Sequence, residues 1–332
     1  MNSAIENARV DLQGTHCLVT GGSGFIGSHL VGKLLDAGAR VRAVDNLSTG
    51  FSHNLSEFQN GPFADQLEFI EADASEHETA ERIVDGIDHV FHLAAMASVP
   101  RSMREPGLCH RWCATSTVEL LSAASTAQVK RFVLSSTSAA YGDSPFVSKR
   151  ETDAPAPLSP YAAAKLSAES YCAAFNREFD IETVVLRYFN VFGPRQDPQS
   201  EYSAVIPRFV SMILSGERPV IYGDGHQSRD FVYVGDVADA NLLAATREGV
   251  AGGTFNIARG ERTTLLDLLE TLRELLGRDI QPIHEPARAG DVRDSLADII
   301  QARRELGFDP SVNMTEGLRS SINYYRELCT AN

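Results

Sequence analysis

The stretch THCLVTGGSGFIGSHLVGKLLDAGA, residues 15–39, decides how the rest of the chain is read. THCLVT (15–20) is a short apolar run of strand length. GGSGFIG follows at once, and SHLVGKLLDAGA then carries apolar residues at helical spacing and ends on a glycine-containing turn. The glycines fit Gly22-x-Gly24-x-x-Gly27 or Gly21-x-x-Gly24-x-x-Gly27 equally well. In either register they permit a tight strand-to-helix turn and a close backbone approach to a ligand.

The alternation continues downstream. RVRAVD (40–45), LEFIEAD (67–73), DHVFHLAA (88–95), VKRFVLSST (129–137) and IETVVLRYFN (181–190) read as strands. SEHETAERIVDG, TSTVELLSAAS and the segment from Pro160 onward read as the helices between them. Strands alternating with helices imply βαβ units and a parallel sheet. In that setting the glycine loop points to a pyrophosphate seated on a helix N-terminus. Asp45, 18 residues beyond Gly27 at the end of the second strand, would accept hydrogen bonds from ribose hydroxyls. Its charge repels a 2′-phosphate, so NAD is expected rather than NADP.

The expected fold class is therefore α/β: an NAD-binding Rossmann fold, a doubly wound parallel sheet, with a smaller C-terminal substrate-binding region. After about residue 190 the rhythm loosens into GPRQDPQSEY, GDGHQSRDF and EPARAGDVRD. This places the nucleotide-binding domain at 12–187, with a return of about 230–258. The substrate-binding region then comprises 188–229 and 259–328.

Composition narrows the function. The 332 residues are 43% hydrophobic and 22% charged, with a net charge of −14. No Lys/Arg run exceeds two, so a nucleic-acid partner is not expected. No apolar run approaches about 18 residues, so no membrane span is expected. The N-terminus lacks the basic start and apolar core of a signal peptide, which points to the cytoplasm. Five scattered cysteines do not form a disulfide framework, and CHRWC (109–113) lacks the paired spacing of a zinc site. No metal is expected.

LSPYAAAKLSAE (158–169) places Tyr161 and Lys165 one helical turn apart, just past a proline. A phenol is a poor base at pH 7, but a neighbouring ammonium favours the phenolate. Tyr161 could then take a proton from a sugar or alcohol hydroxyl as hydride leaves the same carbon. SSTSAAYG (135–142), at the end of the fifth strand, supplies hydroxyl side chains to bridge substrate and tyrosine.

TGGSGFIG, HLAA (92–95), SSTSAAYG, YAAAK (161–165), RYFNVFGPRQDP (187–198), GDGHQSRDF (223–231) and RAGDVRDSLADI (288–299) together resemble the extended short-chain dehydrogenase/reductase family. The motifs occur in the family's order over nearly the whole chain. The resemblance is greatest to UDP-sugar 4-epimerases, in particular UDP-N-acetylglucosamine 4-epimerases. It implies an isomerase with permanently bound NAD. Tyr161 would be the base and Lys165 its activator. Thr137 would meet the sugar's O4, flanked by Ser136 and Ser138. The NAD site would include Gly21, Gly24, Phe25, Ile26, Gly27, Asp45, Asn46, Gly50, Asp73, Ala74, Leu93, Ala94 and Ala95, besides Tyr161 and Lys165. The UDP-sugar would meet Ser98, Asn190, Arg229, Arg288, Asp291 and Ser295. The resemblance also implies a homodimer formed through helices around 103–124 and 160–178.

Within the family, sugar-nucleotide 4,6-dehydratases carry an Asp-Glu pair where this chain has Ser138 and Ala139. Neither can supply the acid and base that elimination needs. UDP-glucuronate decarboxylases carry Glu at the second of these positions. Uronic-acid epimerases tend to carry Thr where this chain has Asn190. A neutral hexose is preferred. Ser295 stands where glucose-only relatives carry a bulky residue, which leaves room for an N-acetyl group. UDP-GlcNAc/UDP-GalNAc is the expected pair, with UDP-glucose/UDP-galactose or a UDP-uronic acid as alternatives. Two positions depart from the family: Cys113 replaces its Asn and Ser116 its Gly. His92 is expected to have no acid–base role, and Trp112 to serve packing.

Overall fold

The computed structural model describes residues 11–198, 204–287 and 293–331. Its centre is a seven-stranded parallel sheet. The strands are β1 (His16–Thr20), β2 (Arg40–Asp45), β3 (Leu67–Glu71), β4 (His89–His92), β5 (Arg131–Thr137), β6 (Glu182–Tyr188) and β7 (Thr254–Ile257). Their order across the sheet is β7-β6-β5-β4-β1-β2-β3. Helices cover both faces: α1 (Phe25–Asp36), α2 (His77–Val84), α3 (Ser116–Thr126), α4 (Pro160–Glu178) and, later in the chain, α6 (Val234–Thr246). This is the expected doubly wound Rossmann sheet, extended by a seventh strand.

Strand periodicity explains the two-sided core. Successive side chains point to opposite faces. Cys17 and Val19 of β1 therefore join α1 and α6 in one apolar layer. Leu18 between them faces Ile83 of α2, Leu120 and Leu121 of α3 and Ala168 of α4 in the other. Helix starts are chemically marked. The Ser159 hydroxyl accepts the Ala162 N–H at 3.2 Å and Pro160 opens α4, so the proline begins the helix that carries Tyr161 and Lys165.

A second core lies beyond the sheet. It is built by α5 (Val205–Leu214), α7 (Leu265–Leu276) and α8 (Met314–Ala331) around Phe209, Leu268, Leu272, Leu318 and Ile322. Short pairings tie this region together, such as Val220–Tyr222 with Ile283–Glu285. No helix among the described residues is long and apolar enough to cross a membrane.

Candidate active site

The chain runs outward in opposite directions from β1 and β4, and a crevice opens there at the carboxyl ends of the strands. A cleft of about 1150 Å³ occupies it. Its floor comes from the ends of β1, β2, β4 and β5, and its far wall from residues 188–231.

At one end the glycine loop is closely fitted. A Cβ on Gly27 would stand 2.0 Å from the Gly21 carbonyl oxygen, and one on Gly21 would meet Ala94 N at 2.9 Å. Gly21 also has φ +71, which glycine adopts without strain. Gly24 is the N-cap of α1 and has no side chain to satisfy the first-turn N–H groups. They remain available to an anion. Asp45 is buried, and its carboxylate accepts the backbone N–H groups of Ser23 (3.0 Å) and Leu47 (2.9 Å). Burial pushes Asp45 above the usual carboxylate range, against these hydrogen bonds. Gly50 lies so close that a Cβ there would be 2.8 Å from the Asp45 carboxylate.

Asp73 sits two residues past β3. Burial would raise it, but hydrogen bonds from Ser75 and Trp112 outweigh that and hold it below its ordinary value. The Trp112 indole N–H donates to Asp73 at 2.9 Å, and the Arg101 guanidinium lies 5.3 Å from the Trp112 ring centre. Arg101 is itself held by Glu105. Trp112 therefore does more than pack: it fixes one wall of the cleft.

At the other end, Tyr161 of α4 and Thr137 at the tip of β5 line the cleft together. Burial drives the phenol's pKa up, and the neighbouring Thr137 works against the shift. Lys165, one turn further along α4, is 1% exposed, and its Nζ has no hydrogen-bond partner among the described residues. Burial pulls its pKa down. His92 is fully buried between Thr20 (2.7 Å) and Thr117 (3.1 Å). Burial, with Lys165 nearby, pushes it down to about 3, so it stays neutral.

The cleft brings together Gly21, Gly24, Phe25, Ile26, Gly27, Asp45, Asn46, Gly50, Asp73, Ala74, Leu93, Ala94, Ala95, Ser98, Ser136, Thr137, Tyr161, Lys165, Asn190 and Arg229. Three expectations need amendment. The Ser136 hydroxyl points its proton at the buried Glu169 carboxylate, which also holds Arg187 at 2.7 Å, so this proton is not offered to a sugar. Ser138 opens a tight 3-10 turn (Ser138–Tyr141) and does not line the cleft. Ser295 does not line it either; its backbone N–H donates to Ser228 O at 3.2 Å. Arg288 and Asp291 lie outside the described residues. Reading the sequence alone missed Glu169, although it continues the 161, 165, 169 face of α4. It also missed Arg101 and Glu105, an i,i+4 charge pair.

The chemistry of these residues fits a dinucleotide: a bare helix N-terminus, a glycine cradle that a Cβ would fill, and an orphaned ammonium. The NAD dependent epimerase/dehydratase family model matches residues 17–258, and the chain belongs to that family. It is 37% identical to the UDP-glucose 4-epimerase of Mycolicibacterium smegmatis, over 93% of this chain and 98% of that one. The solved UDP-N-acetylglucosamine 4-epimerase of Methanobrevibacter ruminantium, in complex with UDP-N-acetylmuramic acid, superposes with a TM-score of 0.90. That likeness is at 41% identity over 95% of this chain and 99% of the other. The UDP-glucose 4-epimerase of Thermotoga maritima, solved with UDP-glucose, gives 0.88 at 42% identity, over 95% and 100% of the two chains. Within the family the chain is an isomerase of the UDP-sugar 4-epimerase type, with NAD as its cofactor.

Proposed function

We propose that the protein interconverts UDP-GlcNAc and UDP-GalNAc by inverting C4 through a 4-keto intermediate. The observation that carries the reading is the meeting of Tyr161 and Thr137 in the cleft at the tip of β5, with the Lys165 ammonium, unpartnered among the described residues, one turn further along α4. Bound NAD would supply reversible hydride acceptance at C4. Every other task falls to the chain. Thr137 orients the sugar's O4 toward Tyr161. Tyr161 takes the O4 proton and returns it after the ring has turned over. Lys165 lowers the cost of the phenolate. The α1 N-terminus receives the pyrophosphate, Asp45 the adenosine ribose, and Asp73 marks the adenine side.

Asn190, Arg229, Arg288 and Asp291 would hold the UDP, arginine's planar fork suiting a diphosphate. A firm grip there and a loose one on the hexose let the sugar rotate. Support for the acetylated substrate comes from the likeness to an N-acetylglucosamine enzyme. The equal likeness to an enzyme solved with UDP-glucose favours UDP-glucose/UDP-galactose as the second reading.

The proposal includes a cytoplasmic homodimer. Met103 and Tyr171, both exposed, lie on the helices expected to pair. A sedimentation run that finds only monomer would refute it.

The test is an NMR assay that resolves the anomeric protons, with UDP-GlcNAc and UDP-Glc incubated separately and no NAD added. Appearance of the galacto epimer from UDP-GlcNAc supports the proposal. Conversion of UDP-Glc alone overturns the acetyl preference. Conversion of neither, even with NAD supplied, overturns the neutral-hexose reading.

A further inference from the structure

Next to Tyr161 and Thr137 the sheet carries a row of buried polar side chains that the chemistry above leaves unused. Ser136 of β5 stands in register with Arg187 of β6, and Arg187 with Asn256 of β7. In-register residues of a parallel sheet share a face, so the three lie side by side. Glu169 of α4 closes on this row. Its Oε1 accepts from the Ser136 hydroxyl and from Arg187 Nε (3.0 Å), and its Oε2 from Arg187 Nη2 (2.7 Å). Arg187 Nη1 donates to the Tyr141 hydroxyl at 3.0 Å, which donates in turn to Asn256 Oδ1 at 2.6 Å. The Arg187 guanidinium also lies 4.9 Å from the centre of the Tyr141 ring. None of these five side chains is more than 9% exposed, and neither Glu169 nor Arg187 lines the cleft. A buried ion pair gains little stability over apolar residues of the same volume, so packing alone does not call for this row. Its place does. It stands one residue before Thr137 on β5 and one turn past Lys165 on α4.

We propose that Glu169 is a positioning residue: anchored on Arg187, it clasps Ser136 of β5 to α4 and so fixes the gap between Thr137 and Tyr161 across which the sugar's proton passes. The proposal rests on the reading of Tyr161 as base and Thr137 as its partner. The two sit on different elements, and Glu169 and Ser136 are their neighbours on those same elements. Arg187 gives the clasp a fixed footing, because it is tied through Tyr141 to the next strand, β7. A misplacement of about 1 Å between reacting groups can cost about 10²-fold in rate.

The test uses the full-length holoenzyme with Glu169→Gln, Ser136→Ala, the two combined, and Glu182→Gln. Glutamine offers one acceptor oxygen to the two donors, Ser136 and Arg187. Ser136→Ala breaks only the clasp and leaves Glu169 with Arg187, so it tests the proposal even if Glu169→Gln folds poorly. Each single variant should lower kcat about tenfold or more, with KM within about twofold of wild type. The combined variant should lose no more than the worse single one, because both changes remove the same bond. Glu182→Gln is the control. It takes the counter-charge from buried Arg131, its in-register partner at the other end of the same two strands. It should lower the melting temperature and leave kcat unchanged. Hydrogen exchange needs no turnover. The amides of Ala139 and Gly142, which close the turn after Thr137, should exchange about tenfold faster or more in Ser136→Ala. Losses that multiply in the combined variant overturn the proposal. An equal kcat loss in Glu182→Gln also overturns it, since that is what a general loss of rigidity gives. Unchanged exchange at Ala139 and Gly142 overturns it as well. A wild type that converts no UDP-sugar refutes the proposed function, and the exchange rates still decide whether the clasp holds Thr137.

Discussion

The two ends of the cleft are built on opposite principles. At the glycine end most polar groups find partners in the chain: Asp45 is held by its neighbours' N–H groups, Asp73 by Ser75 and Trp112, and the glycines fit backbone against backbone, with the first-turn N–H groups of α1 left open. At the catalytic end an ammonium is buried with no hydrogen-bond partner among the described residues, and burial raises the pKa of a phenol. Hydrogen bonds offset much of the cost of keeping the glycine end ready, although burial still raises the Asp45 pKa. A buried, uncompensated cation does cost stability, and a cell would gain nothing from it unless a ligand uses it. One end recognises by fitted backbone and open helix N–H groups, the other by a buried charge.

Four substitutions and one control sharpen or break this contrast. Tyr161→Phe should lower epimerisation about 10³-fold or more, while NAD stays bound and the melting temperature hardly moves. Substantial residual turnover in the NMR assay would end the catalytic reading of that end. Glu169→Gln leaves the Arg187 guanidinium, 7% exposed, without its counter-charge. A denaturant titration should show a loss of about 3–5 kcal/mol. The exposed Arg42–Glu68 pair is the control: Glu68→Gln should cost less than about 1 kcal/mol.

Gly27→Ala tests the fitted end. Its Cβ has no room beside Gly21 O, and overpacking of that kind costs about 1–3 kcal/mol. Less NAD should co-purify, as read by absorbance after acid release. Lys165→Met is the smallest effect and the most diagnostic. With NAD stripped, the variant should be more stable than wild type by about 1 kcal/mol. The sign with pH follows from burial, which lowers Lys165 in the folded state. Between that lowered value and the unfolded value of about 10.4 the unfolded chain binds more protons, so wild-type stability climbs as pH rises through this window. Lys165→Met should lack the climb. A variant less stable than wild type across the whole range would show that the ammonium is satisfied after all.

What could be read from the sequence follows the range of the interactions. RVRAVD occupies 40–45 in the fold as read, because its pattern is local. LEFIEAD overran its strand by two residues, since Ala72 and Asp73 leave the sheet as a loop that feeds the cleft. The first helix starts at Phe25, not Ser28: Gly24 caps it, and a glycine inside the first turn hides the helical period. The glycine loop and the Tyr161–Lys165 pair were legible because their chemistry sits in short spacings. Trp112 finds Asp73 39 residues away, and Ser136 finds Glu169 33 residues away. No local pattern encodes such partners. For the same reason Ser136 and Ser138 read alike in sequence and differ in the fold.

The last strand of the sheet has a consequence for synthesis. β7 pairs with β6, but its first residue, Thr254, leaves the ribosome 66 positions after β6 ends at Tyr188. Throughout that interval the nascent chain carries a long apolar edge whose hydrogen-bonding groups have no neighbour. At about 5–20 residues per second the interval lasts several seconds, ample time for a chaperone or another nascent chain to pair with it. The nucleotide-binding layer closes only after part of the outer region has been made, so the two are woven together during translation instead of being finished in turn.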